Sequence, residues 1–416
     1  MTRVLMTGNA AAAWGARLAD VDYMPAFPIT PQTEIVETLE RWREAGEIQT
    51  HVVMMESEHS ALAAAGAAAL TGVRVFTATS SQGLLYAMEM LYTVAGWRAP
   101  FVLVNVSRGI AAPITLEPDH QDVLAARDSG FLQIHCASVQ EILDSILLAH
   151  RWSEHPSVRL PAIVNLDGFH LSFTREPVEV PDPVAVCRFL PPFDPGEASF
   201  RASKPVSRAV AVLGGGPYSY FRYQMHRASE AALAVHEMIA IEFQRMCGRR
   251  WNLIDVYRAE DAEVVFFLAG SFATKAREAV DHLRAAGIAA GLVRLRVLRP
   301  YPREAIRLAL GGKRAVAVLD QNVSMGQGGI LHSELAAALY GWSGAPKVLA
   351  SFIGGLGGRD VMLEEFGEMA RETLRAAEEG SESPRRLLYT AQELREVRKL
   401  QGIALVEREG VSKEEM

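Results

Sequence analysis

Short apolar runs rich in β-branched and aromatic residues alternate with helical segments over the first 170 residues. After a short strand at Tyr23, the runs predict strands at 51–55, 73–79, 101–106, 133–136 and 161–166. Between them, helical periodicity and small apolar residues predict helices at 9–20, 32–45, 58–70, 80–92 and 139–152. Such alternation is typical of an α/β fold, in which a parallel sheet carries helices on both faces.

The pattern changes after residue 176 and then returns to the same alternation. Prolines between 177 and 205 predict an extended crossover, followed by an irregular aromatic stretch and a helix at 228–245. A second α/β block follows, with strands at 264–268, 290–295 and 315–319 and a helix at 272–286 that ends at Gly287. A charged helical tail begins at Glu364, with a solvated turn at 378–383, and the last several residues are expected to be mobile.

The length and these changes of pattern predict two domains. A chain of 416 residues is too long for one typical core. We place the first domain at 1–257, including a connecting segment at about 177–257, and the second at 258–416.

Composition and charge exclude several classes of function. The formal net charge of −7 argues against a nucleic-acid surface. No run of 18 apolar residues or signal-peptide pattern is present, so we expect a cytoplasmic protein without a membrane contact. The cysteines Cys136, Cys187 and Cys247 are too far apart for CxxC spacing, and each is predicted to be a buried free thiol. Any iron–sulfur cluster would therefore belong to another chain.

Polar residues follow the predicted strands at several points, and they are the candidate chemistry of the chain. They are Thr30, Glu58, Ser81 with Gln82, Arg108 and Asp167. Because ligands of parallel sheets bind at the carboxyl ends of the strands, these side chains are expected to converge on one site. A purely structural alternative for Glu56 and Glu58 is that both carboxylates only stabilise a helix N-terminus.

A second polar cluster, Asp119-His120-Gln121-Asp122, lies between two predicted strands. Its side chains could bind a metal, but such a cluster more often caps a helix, here the one predicted at 123–127. No phosphate-binding glycine motif or GxSxG nucleophile motif is present in the chain.

Several motifs in register resemble those of one enzyme family. They are Phe27-Pro28-Ile29-Thr30-Pro31, Met55-Glu56-Ser57-Glu58, Thr79-Ser80-Ser81-Gln82-Gly83-Leu84, Arg108, Asp119-His120-Gln121-Asp122, Leu298-Arg299-Pro300-Tyr301-Pro302 and Val318-Leu319-Asp320-Gln321. Together they resemble the alpha subunit of the thiamine diphosphate-dependent 2-oxoacid:ferredoxin oxidoreductases, in particular the multi-subunit pyruvate type. The resemblance covers most of the chain.

The resemblance implies a fold and a set of site residues. It implies a pyrimidine-binding domain for thiamine diphosphate followed by a domain like the transketolase C-terminal domain. Glu58 matches the family glutamate that hydrogen-bonds the aminopyrimidine ring and promotes its imino tautomer. Thr30 and Arg108 match positions that contact the 2-oxo acid, and an arginine fork suits a carboxylate. Ile29, Ser81 and Gln82 match positions around the cofactor, and no metal ligand is expected in this chain.

The resemblance also implies partner subunits. The diphosphate-binding signature, GDG followed by NN, is absent from the sequence. A beta subunit is expected to supply that half of the site with its Mg²⁺, and gamma- and delta-type subunits to carry the iron–sulfur clusters. The implied reaction is oxidative decarboxylation of a 2-oxo acid with coenzyme A to an acyl-CoA and carbon dioxide, with ferredoxin or NAD as the final electron acceptor.

Alternatives remain at this stage. The substrate could be pyruvate, a branched-chain 2-oxo acid, oxalate or an aromatic acid such as phenylglyoxylate. The chain could instead be a non-catalytic assembly subunit whose carboxylates only cap helices, or half of a transketolase-like transferase.

Overall fold

The computed structural model describes residues 2–196, 199–208 and 210–414, with side chains as far as residue 403. The expected mobility of the last residues concerns, in part, a segment outside this description. The elements up to residue 167 are β1 (Thr2–Thr7), α1 (Gly8–Leu18), β2 (Tyr23–Ala26), α2 (Thr33–Glu44), β3 (His51–Met54), α3 (Glu58–Ala69), β4 (Phe76–Thr79), α4 (Ser81–Tyr86), α5 (Met88–Gly96), β5 (Val102–Ser107), α6 (Gln121–Ala125), β6 (Leu132–His135), α7 (Val139–Ser153) and β7 (Ala162–Asp167).

The remainder of the chain forms a connection and a second α/β block. The connection contains β8 (Arg175–Val180), α8 (Pro183–Phe189) and α9 (Gly215–Cys247). The second block contains β9 (Ile254–Tyr257), β10 (Val264–Leu268), α10 (Phe272–Ala285), β11 (Ala290–Leu295), β12 (Val297–Arg299), α11 (Arg303–Leu310), β13 (Ala315–Asp320), α12 (Ile330–Leu339), β14 (Val348–Ile353), a 3₁₀ turn (Leu356–Gly358), α13 (Leu363–Glu379), β15 (Arg385–Leu387) and α14 (Ala391–Glu414).

Two mainly parallel sheets carry the fold, which confirms the predicted α/β class. The first sheet has the order β12-β6-β7-β5-β4, and the parallel pair β2-β3 continues it through a bridge between Tyr23 and Val75. The second sheet has the order β15-β14-β13-β10-β11-β9. One edge strand of each sheet is antiparallel, namely β12 in the first and β9 in the second. Since β12 follows β11 in the chain, the second block reaches back to cover an edge of the first sheet.

Alternate residues of the strands face different layers of the core. In β10, Phe266 packs with α10 and α13 on the outer face, whereas Val265 and Phe267 point towards the first block. The core on that inner side is continuous, and it includes Leu62 of α3 and Phe101 before β5. Successive side chains of a strand point to opposite faces of the sheet, so this sheet lies between two apolar layers.

The connecting segment differs most from expectation. The stretch predicted as an extended crossover contains β8, which pairs antiparallel with β1, and the short helix α8. Pro183 occupies the first turn of α8, where its missing N–H has no helical partner to lose, and Asp182 caps that helix. The aromatic stretch predicted as irregular belongs to the 33-residue helix α9.

Most other boundaries agree with the sequence within a few residues. The helix predicted at 80–92 is divided into α4 and α5 at Ala87. Gly287 does follow α10 with a positive φ of 83°, and Gly380 ends α13 in the same conformation. Cys187 is exposed on α8, so the expectation of a buried thiol was wrong there. No helix in the described part of the chain is long and apolar enough to cross a membrane.

A buried ionic cluster joins α7 to β11. Glu141 accepts hydrogen bonds from Arg294 at 2.8 and 2.6 Å and from Arg296 at 2.9 Å. Arg294 is only 1% exposed and Glu141 19%. Burial by itself raises the pKa of the Glu141 carboxyl, but the charges of the two arginines outweigh it and lower the pKa to about 2. Glu141 is therefore the carboxylate that both arginines share, and Asp255 lies 3.5 Å from Arg294 Nε as a second one.

Replacing this carboxylate should destabilise the whole chain. We expect Glu141→Gln to lower the free energy of unfolding by about 3–5 kcal/mol, because Arg296 would stay buried without its carboxylate and Arg294 would keep only the longer contact with Asp255. Denaturant unfolding of the full chain measures this. Glu47→Gln breaks the partly exposed Arg17–Glu47 pair and should change stability by less than about 1 kcal/mol. Equal effects of the two substitutions would contradict a structural role for the cluster.

Candidate active site

Glu58 lies in the first turn of α3, close to the end of β3. Ser57 caps this helix by accepting a hydrogen bond from the Ser60 N–H at 3.2 Å. The Glu58 side chain is 7% exposed and has no hydrogen-bond partner among the residues that the structure describes. A Cβ at Gly83 would overlap Glu58 Oε1 and lie 2.6 Å from Thr79 Oγ1. Glycine at 83 therefore lets the carboxylate lie directly against the start of α4.

Arg108 joins two other predicted site residues. Its Nη1 donates to the backbone carbonyl of Thr30 at 2.7 Å, and its Nη2 donates to Gln82 Oε1. The side chain is 6% exposed, and its Nε has no partner in the described part of the chain. Burial lowers the pKa of Arg108, although the nearby Asp122 carboxylate opposes that effect. Arg108 is thus a buried cation bonded to neutral oxygens.

Asp122 holds the ends of β4 and β5 in place. Its Oδ2 accepts from the Ser81 N–H at 2.9 Å, from Asn105 Nδ2 at 3.1 Å and from the Arg108 N–H at 3.3 Å. Ser81 has a positive φ of 48°, which is unusual for a residue with a side chain. Burial raises the pKa of Asp122 to about 6, although these hydrogen bonds favour the charged form.

The other residues of the Asp119–Asp122 cluster contact the second block. The Gly357 N–H donates to Asp119 Oδ2 at 3.2 Å, and the Val323 N–H donates to the Gln121 side chain at 3.1 Å. The His120 N–H donates to the Gln321 carbonyl at 2.9 Å. The helix-capping interpretation is correct for Asp119, which accepts from the Gln121 N–H at 3.0 Å. The other hydrogen bonds of the cluster hold the loop before α6 against the second block.

His120 forms a fully buried pair with Asp167. The distance from His120 Nε2 to Asp167 Oδ1 is 2.7 Å, and Ser271 donates to Asp167 Oδ2 from its hydroxyl at 2.5 Å and its N–H at 2.8 Å. Burial opposes a charge on both partners. Their attraction prevails, so the pKa of His120 is raised and that of Asp167 is lowered. Gly270 makes room for the imidazole, since a Cβ there would lie 2.6 Å from His120 Cε1.

The predicted site residues are only partly gathered in one place. Thr30, Gln82 and Arg108 are hydrogen-bonded together, and Ser81 donates either to Gln82 Oε1 or to the Gly109 carbonyl. Glu58 lies beside Gly83, the next residue after Gln82. Ile29 is half-buried and adjoins Thr30.

Asp167 has a different place from the one expected, because its carboxylate faces the second block rather than this group. Two residues that matter to the geometry were not assigned to the site from sequence. Asp122 was recognised only as part of a polar cluster, and Gly83 only as part of a motif. Among the described residues no group of three or more histidine, cysteine, aspartate or glutamate side chains is arranged to hold a metal ion.

Comparison with protein families gives two matches. The family described as "Pyruvate flavodoxin/ferredoxin oxidoreductase, thiamine diP-bdg" matches residues 14–240, and "Pyruvate:ferredoxin oxidoreductase core domain II" matches residues 262–366. The chain is 41% identical over 373 residues to pyruvate synthase subunit PorA of Methanothermobacter thermautotrophicus, covering 90% of this chain and 96% of that protein. It is 38% identical over 377 residues to ketoisovalerate oxidoreductase subunit VorA of Pyrococcus horikoshii, covering 90% and 95%.

Two solved structures share the fold. A 2-oxoglutarate:ferredoxin oxidoreductase from Magnetococcus marinus, with 2-oxoglutarate, coenzyme A and succinyl-CoA bound, has a TM-score of 0.71 at 20% identity. The match covers 89% of this chain and 65% of that longer one. A split-gene transketolase, described as an inactive β4 tetramer, has a TM-score of 0.52 at 13% identity, covering 90% and 98%.

Asp122 should leave a signature in the pH dependence of stability. Its pKa rises from 3.8 to about 6 on folding, so between these values the folded state binds more protons than the unfolded one. The wild type should therefore lose about 2 kcal/mol of unfolding free energy, relative to Asp122→Asn, as the pH rises from about 4 to 6. Denaturant unfolding at several pH values measures the difference. Asp128→Asn, at a 59% exposed carboxylate, is the control, and parallel curves for wild type and Asp122→Asn would refute the effect.

Proposed function

Because this chain belongs to the pyruvate:ferredoxin oxidoreductase family, as an alpha subunit of a multi-subunit 2-oxoacid:ferredoxin oxidoreductase, we propose that it helps to convert pyruvate and coenzyme A into acetyl-CoA and carbon dioxide. The observation that carries this proposal is the buried guanidinium of Arg108. It has no carboxylate partner among the described residues and lies beside Gln82 and Thr30. A 2-oxo acid brings the carboxylate that such a cation lacks.

The contacts of Arg108 suit the binding of a small acid. Thr30 and Gln82 orient the guanidinium through neutral acceptors, and the second N–H of Nη1 and of Nη2 is left to donate to a carboxylate oxygen. Since the side chain is already ordered by Thr30 and Gln82, little side-chain entropy is lost when a substrate binds. We propose that Arg108 binds the substrate carboxylate and that the Thr30 hydroxyl contacts its keto oxygen.

The residues around Glu58 fit the aminopyrimidine half of thiamine diphosphate. Buried polar atoms without partners in the described structure surround this place, including Thr79 Oγ1, Ser80 Oγ and Gln82 Nε2. When bound, thiamine diphosphate supplies the carbanion that attacks the keto carbon of a 2-oxo acid. We propose that Glu58 holds a proton against the ring nitrogen of the aminopyrimidine, and that Ile29, Ser81 and Gln82 line the cofactor. A mostly apolar helix start suits this role, because it excludes competing water.

The rest of the machinery is assigned to other subunits. The sequence lacks GDG followed by NN, so we propose that a beta subunit binds the diphosphate and Mg²⁺ at an interface with this chain. Gamma- and delta-type subunits would carry the iron–sulfur clusters and pass electrons to ferredoxin. We also propose a cytoplasmic location and keep the domain division near residue 257, although β9 precedes that point and pairs in the second sheet.

A branched-chain 2-oxo acid is the second candidate substrate. It is favoured by the 38% identity to a ketoisovalerate oxidoreductase subunit, which is close to the identity with the pyruvate synthase subunits. The relatives reported above are named for pyruvate and ketoisovalerate, so an aromatic substrate is not retained. Parallel assays of the assembled complex with both acids decide between the candidates.

Replacing the Glu58 carboxyl should stop turnover without unfolding the chain. In the complex assembled with its partner subunits, we expect Glu58→Gln to reduce CoA-dependent viologen reduction by at least about 100-fold, the scale of a lost proton-transfer group. Glu56→Gln is a matched control, because Glu56 lies two residues away, is exposed and accepts from Ser60 Oγ at 2.6 Å. Normal turnover by Glu58→Gln would remove Glu58 from the catalytic role.

Shortening the fork of Arg108 should weaken substrate binding. We expect Arg108→Lys to raise KM for the 2-oxo acid by about 10- to 100-fold, since a lysine keeps the charge but loses the paired donors. Arg127→Lys is the control, because Arg127 pairs with Asp128 and Glu334 at the surface. Unchanged KM in Arg108→Lys, with steady-state kinetics on both 2-oxo acids, would show that another group binds the carboxylate.

A further inference from the structure

A small basic pocket lies at the end of the first sheet opposite Glu58. Helix α3 leads from Glu58 at its start to Ala69 at its end, a rise of roughly 16 Å at 1.5 Å per residue. The pocket, of about 190 Å³, is at that far end. The residues that form its walls include Leu70, Arg98, Arg159, Phe193, Pro195 and Arg208.

Two of the arginines are firmly positioned. Arg98 donates to the carbonyl of Arg159 at 3.0 Å and to that of Val158 at 2.5 Å, and Arg159 donates to the carbonyl of Asp194 at 2.6 Å. The Arg159 guanidinium also lies over the ring of Phe193, 5.1 Å from its centroid. Both arginines have a positive φ, of 61° and 45°, so their backbone is held in a sparsely populated conformation.

Arg98 and Arg159 form no ion pair with a residue that the structure describes. In the described part of the chain, neither Arg98 nor Arg159 lies within salt-bridge distance of a carboxylate, and all their hydrogen-bond acceptors are backbone carbonyls. Burial lowers the pKa of Arg98, and the charges of Arg208 and Arg159 lower it further. For Arg159, burial likewise lowers the pKa, while the fields of Asp194 and Glu154 oppose it. Glu154, however, is already paired with Arg74 at 2.7 Å.

We propose that this pocket binds a phosphoryl group, as inorganic phosphate or as the terminal phosphate of a small organic molecule. Guanidinium groups bind phosphate oxygens through their N–H donors, and Arg98 and Arg159 both line this small cavity. Nη1 of Arg98 and both Nε and Nη1 of Arg159 make no hydrogen bond to the residues that the structure describes. The apolar walls formed by Leu70, Phe193 and Pro195 strengthen the attraction by excluding water. The bound group would connect the proline-rich segment, near Phe193 and Pro195, to the amino end of the first sheet.

Calorimetry with inorganic phosphate tests this proposal on the full chain. We expect saturable binding at constant ionic strength, with sulfate competing and chloride not. Arg98→Met and Arg159→Met should each raise the Kd for phosphate at least about tenfold, whereas Arg43→Met, which removes an exposed arginine on α2, should not change it. Titration of ADP under the same conditions separates the two sources, because tighter arginine-dependent binding of ADP identifies an organic phosphate.

Several results would overturn the site. If the wild-type chain shows no saturable phosphate binding, the proposed site is wrong, and no variant is needed to reach that conclusion. Binding that Arg98→Met and Arg159→Met leave intact would show that phosphate lies elsewhere. If one variant fails to fold, Arg159→Lys keeps the charge but not the fork and should still weaken binding. Turnover of the assembled complex should be unchanged in the pocket variants, so this test is independent of the roles of Glu58 and Arg108.

Discussion

The geometry of the candidate site depends on one buried carboxylate. Asp122 accepts hydrogen bonds from the backbone N–H groups of Ser81 and Arg108, which lie just after two neighbouring parallel strands. Parallel strands fan apart at their ends, and the ladder gives these N–H groups no partner there. Asp122 supplies the partner, so Ser81 keeps its unusual backbone conformation and Arg108 points towards Thr30. The carboxylate is not itself a candidate catalyst, but it fixes the position of residues that are.

The second block contributes to the site by restraining the loop that carries Asp122. Asp119, His120 and Gln121 are hydrogen-bonded to two loops of that block, one after β13 at Gln321 and Val323 and one at Gly357. The buried pair of His120 with Asp167 adds a charged contact where the carboxyl ends of the two sheets meet. Motion of one block relative to the other would therefore be transmitted to Arg108 through a few residues. This is a physical reason for the two blocks to be joined rigidly.

The sequence predicted the regular parts well, because they follow local rules. Period-two and helical patterns located the parallel strands of the first block, and the strand ends located Thr30, Gln82 and Arg108. In the second block β14, α11 and α12 were not predicted. Non-local contacts were invisible to the same rules. Helix α9 begins with exposed aromatic residues that have no helical face, and β12 is three residues long and pairs with a strand far back in the chain. Asp122 was recognised as polar, but the N–H groups that donate to it could be identified only in the structure, where Ser81 and Arg108 lie beside it.

The pairing of β12 with the first sheet determines whether the two blocks could exist as separate proteins. Without that strand, β6 would become a bare edge of the first sheet, with unpaired N–H and C=O groups facing solvent. The first sheet and the inner face of the second also share one apolar layer, which a cut between them would expose. Neither half is thus a self-sufficient module. Gene fusion or rearrangement in evolution would have to carry both halves together, and proteolytic nicking in the linker would leave fragments prone to aggregate.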